Sequence, residues 1–227
     1  MSKLIIPEGY KMPLSNNQLQ RAIELIHTEF QHSLTIRLNL HRVSAPLFVD
    51  GNTGLNDDLN GVERPVGFDI PCAHANAQVV HSLAKWKRMA LYRYDFHPGN
   101  GLLTDMNAIR RDEELDNLHS IYVDQWDWEK VILPEERTLD YLKDTVRKIV
   151  GVICNTLEEL QYYFPQLPGG LSRDITFVTT QELEDRWPHL TPKEREDALL
   201  AECKTAFVMQ IGGRLRSGGR HDGRAPD

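Results

Sequence analysis

The sequence predicts an α+β fold, a mainly antiparallel sheet with helices packed against it. Three observations predict it. Short stretches around residues 36–48, 90–96 and 120–126 alternate apolar and polar side chains, the period of a half-buried strand. Residues 138–164 instead place apolar side chains at helical spacing over a long run. The strand-like pieces also lie close to one another along the chain, which favours antiparallel pairing over long parallel crossovers.

Each element has its own signal. Ser15 to Gln18 reads S-N-N-Q, a capping-box pattern, and Leu19, Ala22, Ile23, Ile26 and Phe30 follow at helical spacing. A helix is expected over about 16–33. Ile36, Leu38 and Leu40 then alternate as on a strand, and Pro46 belongs at a strand edge or break. Residues 50–61, DGNTGLNDDLNG, are turn chemistry. Residues 90–96 and 120–126 read as strands. The long helix over 138–164 carries Leu139, Leu142, Val146, Ile149, Ile153, Leu157 and Leu160. Gly151 inside it costs about 1 kcal/mol relative to alanine and allows a kink. Pro165, Pro168 and the Gly169–Gly170 pair end it. Residues 175–178 read as a buried strand. Thr179 to Glu182 and Thr191 to Glu194 both fit the capping box, with Pro192 at a first helical position, so two short helices should follow. Residues 205–211 form a last strand.

Composition narrows the function classes. The chain has 227 residues, 41% hydrophobic and 26% charged, with a formal net charge of −7. That suits one globular domain, at most two, and argues against a general nucleic-acid binder, which would usually show a basic face. No apolar run approaches the roughly 18 residues of a membrane helix. Pro7, Glu8, Lys11 and Pro13 interrupt the N-terminus, and Cys72, Cys154 and Cys203 are odd in number and far apart. These features lead us to expect a cytoplasmic protein in a reducing compartment. Neither a P-loop nor a G-x-G-x-x-G helix start is present. Cys72 and His74 are close, but no C-x-x-C or H-x-x-x-H pair accompanies them, so no metal site is read.

Three segments stand out. In VVHSLAKWKR, residues 79–88, Lys85, Lys87 and Arg88 cluster beside His81, Ser82 and Trp86. The cluster suits either a solvated helix face or a cationic site for phosphate or carboxylate. In residues 103–128 two strand-like pieces flank a charged turn, Arg110 to Asp116, and such a hairpin could hold Arg110 and Glu113 over a ligand. On its second strand Val123, Gln125 and Asp127 share a face by the period of two, opposite Tyr122, Asp124 and Trp126. A polar pocket floor or a solvent face would each explain Gln125 and Asp127. The Gly-rich tail ending HDGRAPD is the third segment, and composition alone reads it as a fraying end.

VVHSLAKWKR, MNAIRRDEE, LHSIYVDQWDWE and IGGRLRSGGRHDGRAPD, in that order, closely resemble aspartate–ammonia ligase, the ammonia-dependent A-type asparagine synthetase family of bacteria. The likeness runs from about Leu19 to Asp227. It implies the catalytic-domain fold of class II aminoacyl-tRNA synthetases, one domain over 1–227, in a homodimer. The first class motif would span residues 19–48 with Pro46 as its proline. The second would be the 103–128 hairpin, with Arg110 on the α-phosphate and Glu113 beside the ATP. The implied reaction activates the β-carboxylate of L-aspartate with ATP, forms β-aspartyl-AMP and pyrophosphate, and lets ammonia displace AMP. Mg2+ is implied by the family, with no ligands identifiable.

The resemblance assigns roles residue by residue. Arg110 and Lys87 are the catalytic cations that bring a carboxylate and a phosphate together. Asp57 accepts from the substrate ammonium, while Ser82, Gln125, Asp127 and Arg224 line the same pocket. Residue 2 is Ser, where glutamine-dependent synthetases carry a catalytic Cys, so free ammonia is the expected nitrogen donor. The family continues beyond RAPD with a third, Gly-rich motif and a second ATP-binding arginine. From that we expect the 227-residue chain alone to lack ligase activity. A non-catalytic truncated paralogue that binds aspartate or a nucleotide is the alternative reading. A fragment of an aspartyl- or asparaginyl-tRNA synthetase is the third.

Overall fold

The computed structural model describes residues 4–57 and 63–223. The chain divides into two compact units, one of Met1–Ser15 and Gln31–Arg137, the other of Asn16–Phe30 and Thr138–Asp227.

The first unit is built around a long hairpin. Strand β1 (Leu40–Arg42) runs parallel to β5 (Gly101–Ile109), and β5 pairs antiparallel with β6 (Tyr122–Lys130) from Gly101↔Lys130 to Ile109↔Tyr122. Gly101 is required where the three strands meet, because a Cβ there would lie 2.4 Å from the Glu129 carbonyl oxygen and 2.7 Å from Leu40. A second, antiparallel sheet has the order β2 (Phe48–Asp50), β4 (Ala75–Val79), β3 (Gly67–Ile70). Helix α2 (Ala84–Arg93) presents Leu83, Trp86 and Ala90, spaced three and four apart, to Leu102 and Met106 of β5. Leu83 and Leu102 are fully buried, and burying such a side chain contributes about 1.5–3 kcal/mol.

Two local expectations need correction here. The alternation over 90–96 is not a strand. Residues up to Arg93 continue α2, and Asp95 turns the chain with a φ of 56°. Ala90 belongs to the helical set of buried residues, while Tyr92 and Tyr94, its partners in the apparent alternation, are exposed. The first helix also outruns its expected end. Helix α1 spans Asn16–Leu38, because Phe30, Leu34 and Leu38 are buried at a spacing of four while Ile36 faces solvent. Asn39 ends it in the left-handed region, at φ 56°, and the strand starts only at Leu40.

In the second unit, α3 (Leu139–Tyr163) starts on the Thr138 side chain and runs unbroken through Gly151. It buries Val146, Val152, Cys154 and Leu160. Strands β7 (Thr176–Thr179) and β8 (Ala206–Met209) pair in parallel. This pair and β1–β5 are the parallel exceptions among strands that otherwise pair antiparallel in the described residues. Helices α4 (Thr180–Arg186) and α5 (Pro192–Glu202) both carry the complete capping box. Thr179 N donates to Glu182 Oε2 at 2.7 Å and Thr191 N to Glu194 Oε2 at 2.8 Å. Leu183 and Leu199 pack with Val178 between them.

The described part of the Gly-rich tail is held, so the fraying read from composition does not apply up to Gly223. Arg214 and Arg220 form an isolated antiparallel bridge. Ser217 Oγ donates to Glu184 Oε1 at 2.6 Å, and Arg216 N donates to Gln181 Oε1 at 2.8 Å. His221 is buried with Nε2 2.8 Å from Glu196 Oε1. Acidic and amide side chains of α4 and α5 thus supply the partners that a glycine-rich segment cannot supply itself. Among the described residues no helix is long and apolar enough to cross a membrane.

Candidate active site

The β5–β6 register decides which side chains share a face. Thr104↔Asp127, Met106↔Gln125 and Ala108↔Val123 are directly opposite, so Asp127, Gln125 and Val123 lie on the face that carries Met106 and Ala108. Helix α2 and its core cover that face, with Val123 packed into the cluster. The solvent-face reading of Gln125 and Asp127 is therefore excluded; they are polar groups set into a mostly apolar surface. The opposite face holds a separate polar set. Arg42 pairs there with Asp105, and Asn107 Nδ2 donates to Tyr122 Oη at 2.6 Å and Asp124 Oδ1 at 3.3 Å.

Lys87 reaches this face from α2. Its side chain is 7% exposed. It donates to Asp127 Oδ1 and to the Trp128 carbonyl at 3.1 Å, and Glu129 Oε2 lies 3.4 Å away. One buried ammonium thus faces two carboxylates and a carbonyl, with two hydrogen bonds made and Glu129 as a second counter-ion. Its neighbours in the cluster differ. Arg88 is largely exposed and reaches Glu129 at 3.4 Å; Lys85 is half-exposed, 3.5 Å from Asp57 Oδ1. The cluster is thus neither a uniform solvated face nor a free cationic patch. One lysine is buried and charge-matched by acids.

Asp57 and Ser82 lie about the first turn of α2. Ser82 Oγ accepts from Ala84 N at 3.2 Å. Asn56, next to Asp57 and buried, accepts from His81 N at 2.8 Å and donates to the Val79 carbonyl at 3.3 Å, which fixes the loop there.

Arg110 continues the same face as Asp127 beyond the end of β5, and its N–H donates to the Ile121 carbonyl at 2.7 Å. It lies six residues along from Thr104, roughly 20 Å at about 3.4 Å per residue. Its Nη1 is 3.9 Å from Glu113 Oε2, a loose ion pair, and its buried Nε has no hydrogen-bond partner among the described residues. Of the two predicted cations, Arg110 has donor capacity left for an anion, whereas a ligand carboxylate at Lys87 has to compete with Asp127.

The turn beyond Arg110 is strongly pinned. Arg64 donates to Asp112 from its main-chain N–H and from Nε, both at 3.1 Å, and from Nη2. These bonds hold the Asp112 carboxyl down at about 2. Asp116 is also held down to about 2, first by the Leu118 N–H and then by the His119 side chain and N–H.

The structure thus gathers Lys87, Gln125 and Asp127 on one face with Arg110 farther along it, Glu113 beside Arg110, and Asp57 and Ser82 around the start of α2. Arg224 lies outside the described residues. Glu129 and Asn56 were missed by the sequence reading. Glu129 was open to the same period of two that singled out Gln125 and Asp127, but Asn56 has no local signal. Among the described residues no three His, Cys, Asp or Glu side chains are grouped to hold a metal ion, so no magnesium ligands are assigned.

Comparison with known proteins gives two kinds of likeness. The profile of a family described as aspartate-ammonia ligase matches residues 17–227. The chain is similar to the aspartate–ammonia ligase of Clostridium perfringens, 58% identical over 228 residues, covering 100% of this chain and 68% of the relative. That of Ruminiclostridium cellulolyticum is 59% identical with the same coverage. Among solved structures, asparaginyl-tRNA synthetase from Pyrococcus horikoshii, complexed with asparaginyl-adenylate, superposes with a TM-score of 0.58 at 12% identity, over 85% of this chain and 44% of that one. Aspartyl-tRNA synthetase from Entamoeba histolytica gives 0.57 at 13% identity, over 86% and 37%. The fold is that of the class II aminoacyl-tRNA synthetases.

Proposed function

The chain belongs to the aspartate–ammonia ligase family, and we propose that it works by adenylation, with the hairpin face of Arg110, Gln125 and Asp127 as its floor. The family joins ammonia to aspartate to make asparagine. On our reading ATP supplies the driving force. A β-carboxylate oxygen of aspartate attacks the α-phosphorus and pyrophosphate leaves. Ammonia then attacks the β-carbonyl carbon, the C–O bond breaks, and AMP departs with the carboxylate oxygen. The adenylate named for the Pyrococcus horikoshii neighbour supports this reading of a shared fold.

The observation that carries the reading is the unequal satisfaction of the two cations. Carboxylate and α-phosphate repel, so the first step needs a donor with capacity to spare. Arg110, with an unpartnered buried Nε and only a loose ion pair to Glu113, fits that need. Lys87, held by Asp127 and Glu129, fits a different need: a fixed ammonium that a substrate carboxylate meets in a defined place. Asp57 would accept from the α-ammonium of aspartate, exchanging its weak contact with Lys85 for the ligand. Ser82, Gln125 and Arg224 would complete the pocket. Both compact units would belong to one catalytic domain over 1–227, in a cytoplasmic homodimer.

The test is a product analysis on the intact gene product with aspartate, ATP and ammonium. Asparagine, AMP and pyrophosphate are expected, with one oxygen label from the aspartate β-carboxylate appearing in AMP. ADP and orthophosphate would overturn the adenylate, and turnover only with glutamine would overturn the ammonia assignment.

A further inference from the structure

We propose that Arg64 and Asp112 are positioning residues for this reaction, a clasp that ties the turn carrying Arg110 to the stretch leading into β3. The proposal rests on the reading of the site given above.

The geometry singles out this pair among exposed ion pairs. Most such pairs join two flexible side chains and fix little backbone. Here the main-chain N–H of Arg64 also donates to the Asp112 carboxylate, so the contact secures the chain itself. Nε and Nη2 add the fork geometry of a two-point guanidinium–carboxylate contact.

Its place in the chain gives the clasp a function. Asp112 lies in the turn that begins at Arg110, closed by the Glu113 N–H donating to the Arg110 carbonyl at 3.2 Å. The last rung of the ladder is Arg110 to Ile121, so beyond it the direction of the Arg110 side chain depends on the turn. The far end of the hairpin tip is held separately. Asp116 binds the Leu118 and His119 N–H groups, and the Asn117 amide exchanges two 2.8 Å hydrogen bonds with the Ile5 backbone. Arg64 holds the Arg110 end of the turn from outside the hairpin. It lies two positions before Val66, whose carbonyl accepts from the Val79 N–H at 2.9 Å, so the clasp is anchored on the second sheet. The clasp therefore fixes the turn from which the side chain proposed for the ATP projects.

The experiment uses the intact gene product and Asp112→Ala. The KM for ATP should rise about tenfold, with the KM for aspartate and kcat each changed less than about threefold and the thermal midpoint held. Equilibrium ATP binding should be equally weak in Arg110→Ala and in Arg110→Ala/Asp112→Ala, since the clasp acts through Arg110. The charge exchange Arg64→Asp/Asp112→Arg should recover part of the lost ATP affinity. Should Asp112→Ala not accumulate as soluble protein, Asp112→Asn, of the same shape, carries the same expectations. An unchanged KM for ATP in an active enzyme, or independent multiplication of the Asp112 and Arg110 effects on ATP binding, would overturn the clasp. A wild-type protein that makes no asparagine would instead overturn the reading of the site.

Discussion

Replacing Lys87 by alanine should destabilise the protein by about 3 kcal/mol, far more than replacing its neighbour Lys85. Lys87 loses a charge-assisted hydrogen bond to Asp127, in the range of about 1.5–3 kcal/mol, and a bond to the Trp128 carbonyl, about 0.5–1.5 kcal/mol. It also leaves Asp127 and Glu129, neighbours on one face of β6, without the ammonium they share. Breaking a fully buried pair costs about 3–5 kcal/mol; with the two acids 19% and 26% exposed, water can enter and the cost falls to the lower end. A loss of about 3 kcal/mol is about 150-fold in the folding equilibrium, and for an m-value of about 3 kcal/mol/M it moves the urea midpoint by about 1 M. Lys85 is half-exposed and only 3.5 Å from Asp57, so its removal should cost under about 1 kcal/mol. Lys87→Met/Asp127→Asn should regain at least about 1 kcal/mol, because one uncompensated charge goes with the lysine, yet it should not regain asparagine formation, for which a preorganised charge is worth about 2–4 kcal/mol. Equal, small midpoint shifts for Lys85→Ala and Lys87→Ala would refute the reasoning and return the whole cluster to a solvated face.

Two further perturbations follow from the hairpin. Asp112 and Asp116 are held at about 2 against an ordinary 3.8, so their contribution to the ordered tip is present above about pH 4 and is lost as pH falls through about 2. Amide protection factors at residues 112–119, taken relative to the intrinsic exchange rate at each pH, should fall over that window in the wild type and change less in Asp112→Asn/Asp116→Asn; identical profiles would remove these two carboxylates as the cause. Gly101→Ala should be poorly folded, since the new methyl meets the fixed Glu129 backbone at 2.4 Å and costs about 3 kcal/mol or more. A Gly101→Ala protein with a wild-type melting temperature would show that β1, β5 and β6 can spread there at no cost.

The sequence disclosed elements where local chemistry and long-range packing ask for the same residues. Thr179 and Thr191 announce α4 and α5 because a capping box is closed within four residues and needs no distant partner. The α3 spacing also announces a helix, but of the side chains that carry it Val146 and Leu160 are buried while Leu139, Leu142 and Ile153 are exposed. Residues 90–96 misled because alternation and helical spacing both admit Ala90, and only the sheet under α2 selects the helical set through Leu83 and Trp86. The same limit governs the site. The period of two separates Gln125 and Asp127 from Trp126, but whether their face meets water or protein depends on α2, about 40 residues earlier in the chain. Lys85, Lys87 and Arg88 are indistinguishable as a run of cations. What distinguishes Lys87 is the helical turn that points it, with Trp86 and Ala90, into the sheet, where Asp127 and Glu129 await it. The acids do not make the patch strongly cationic; they fix one ammonium in place and leave Arg110 as the group with donors to offer. Lysine and arginine therefore divide two tasks that the sequence presents as one: holding a charge still, and receiving an anion.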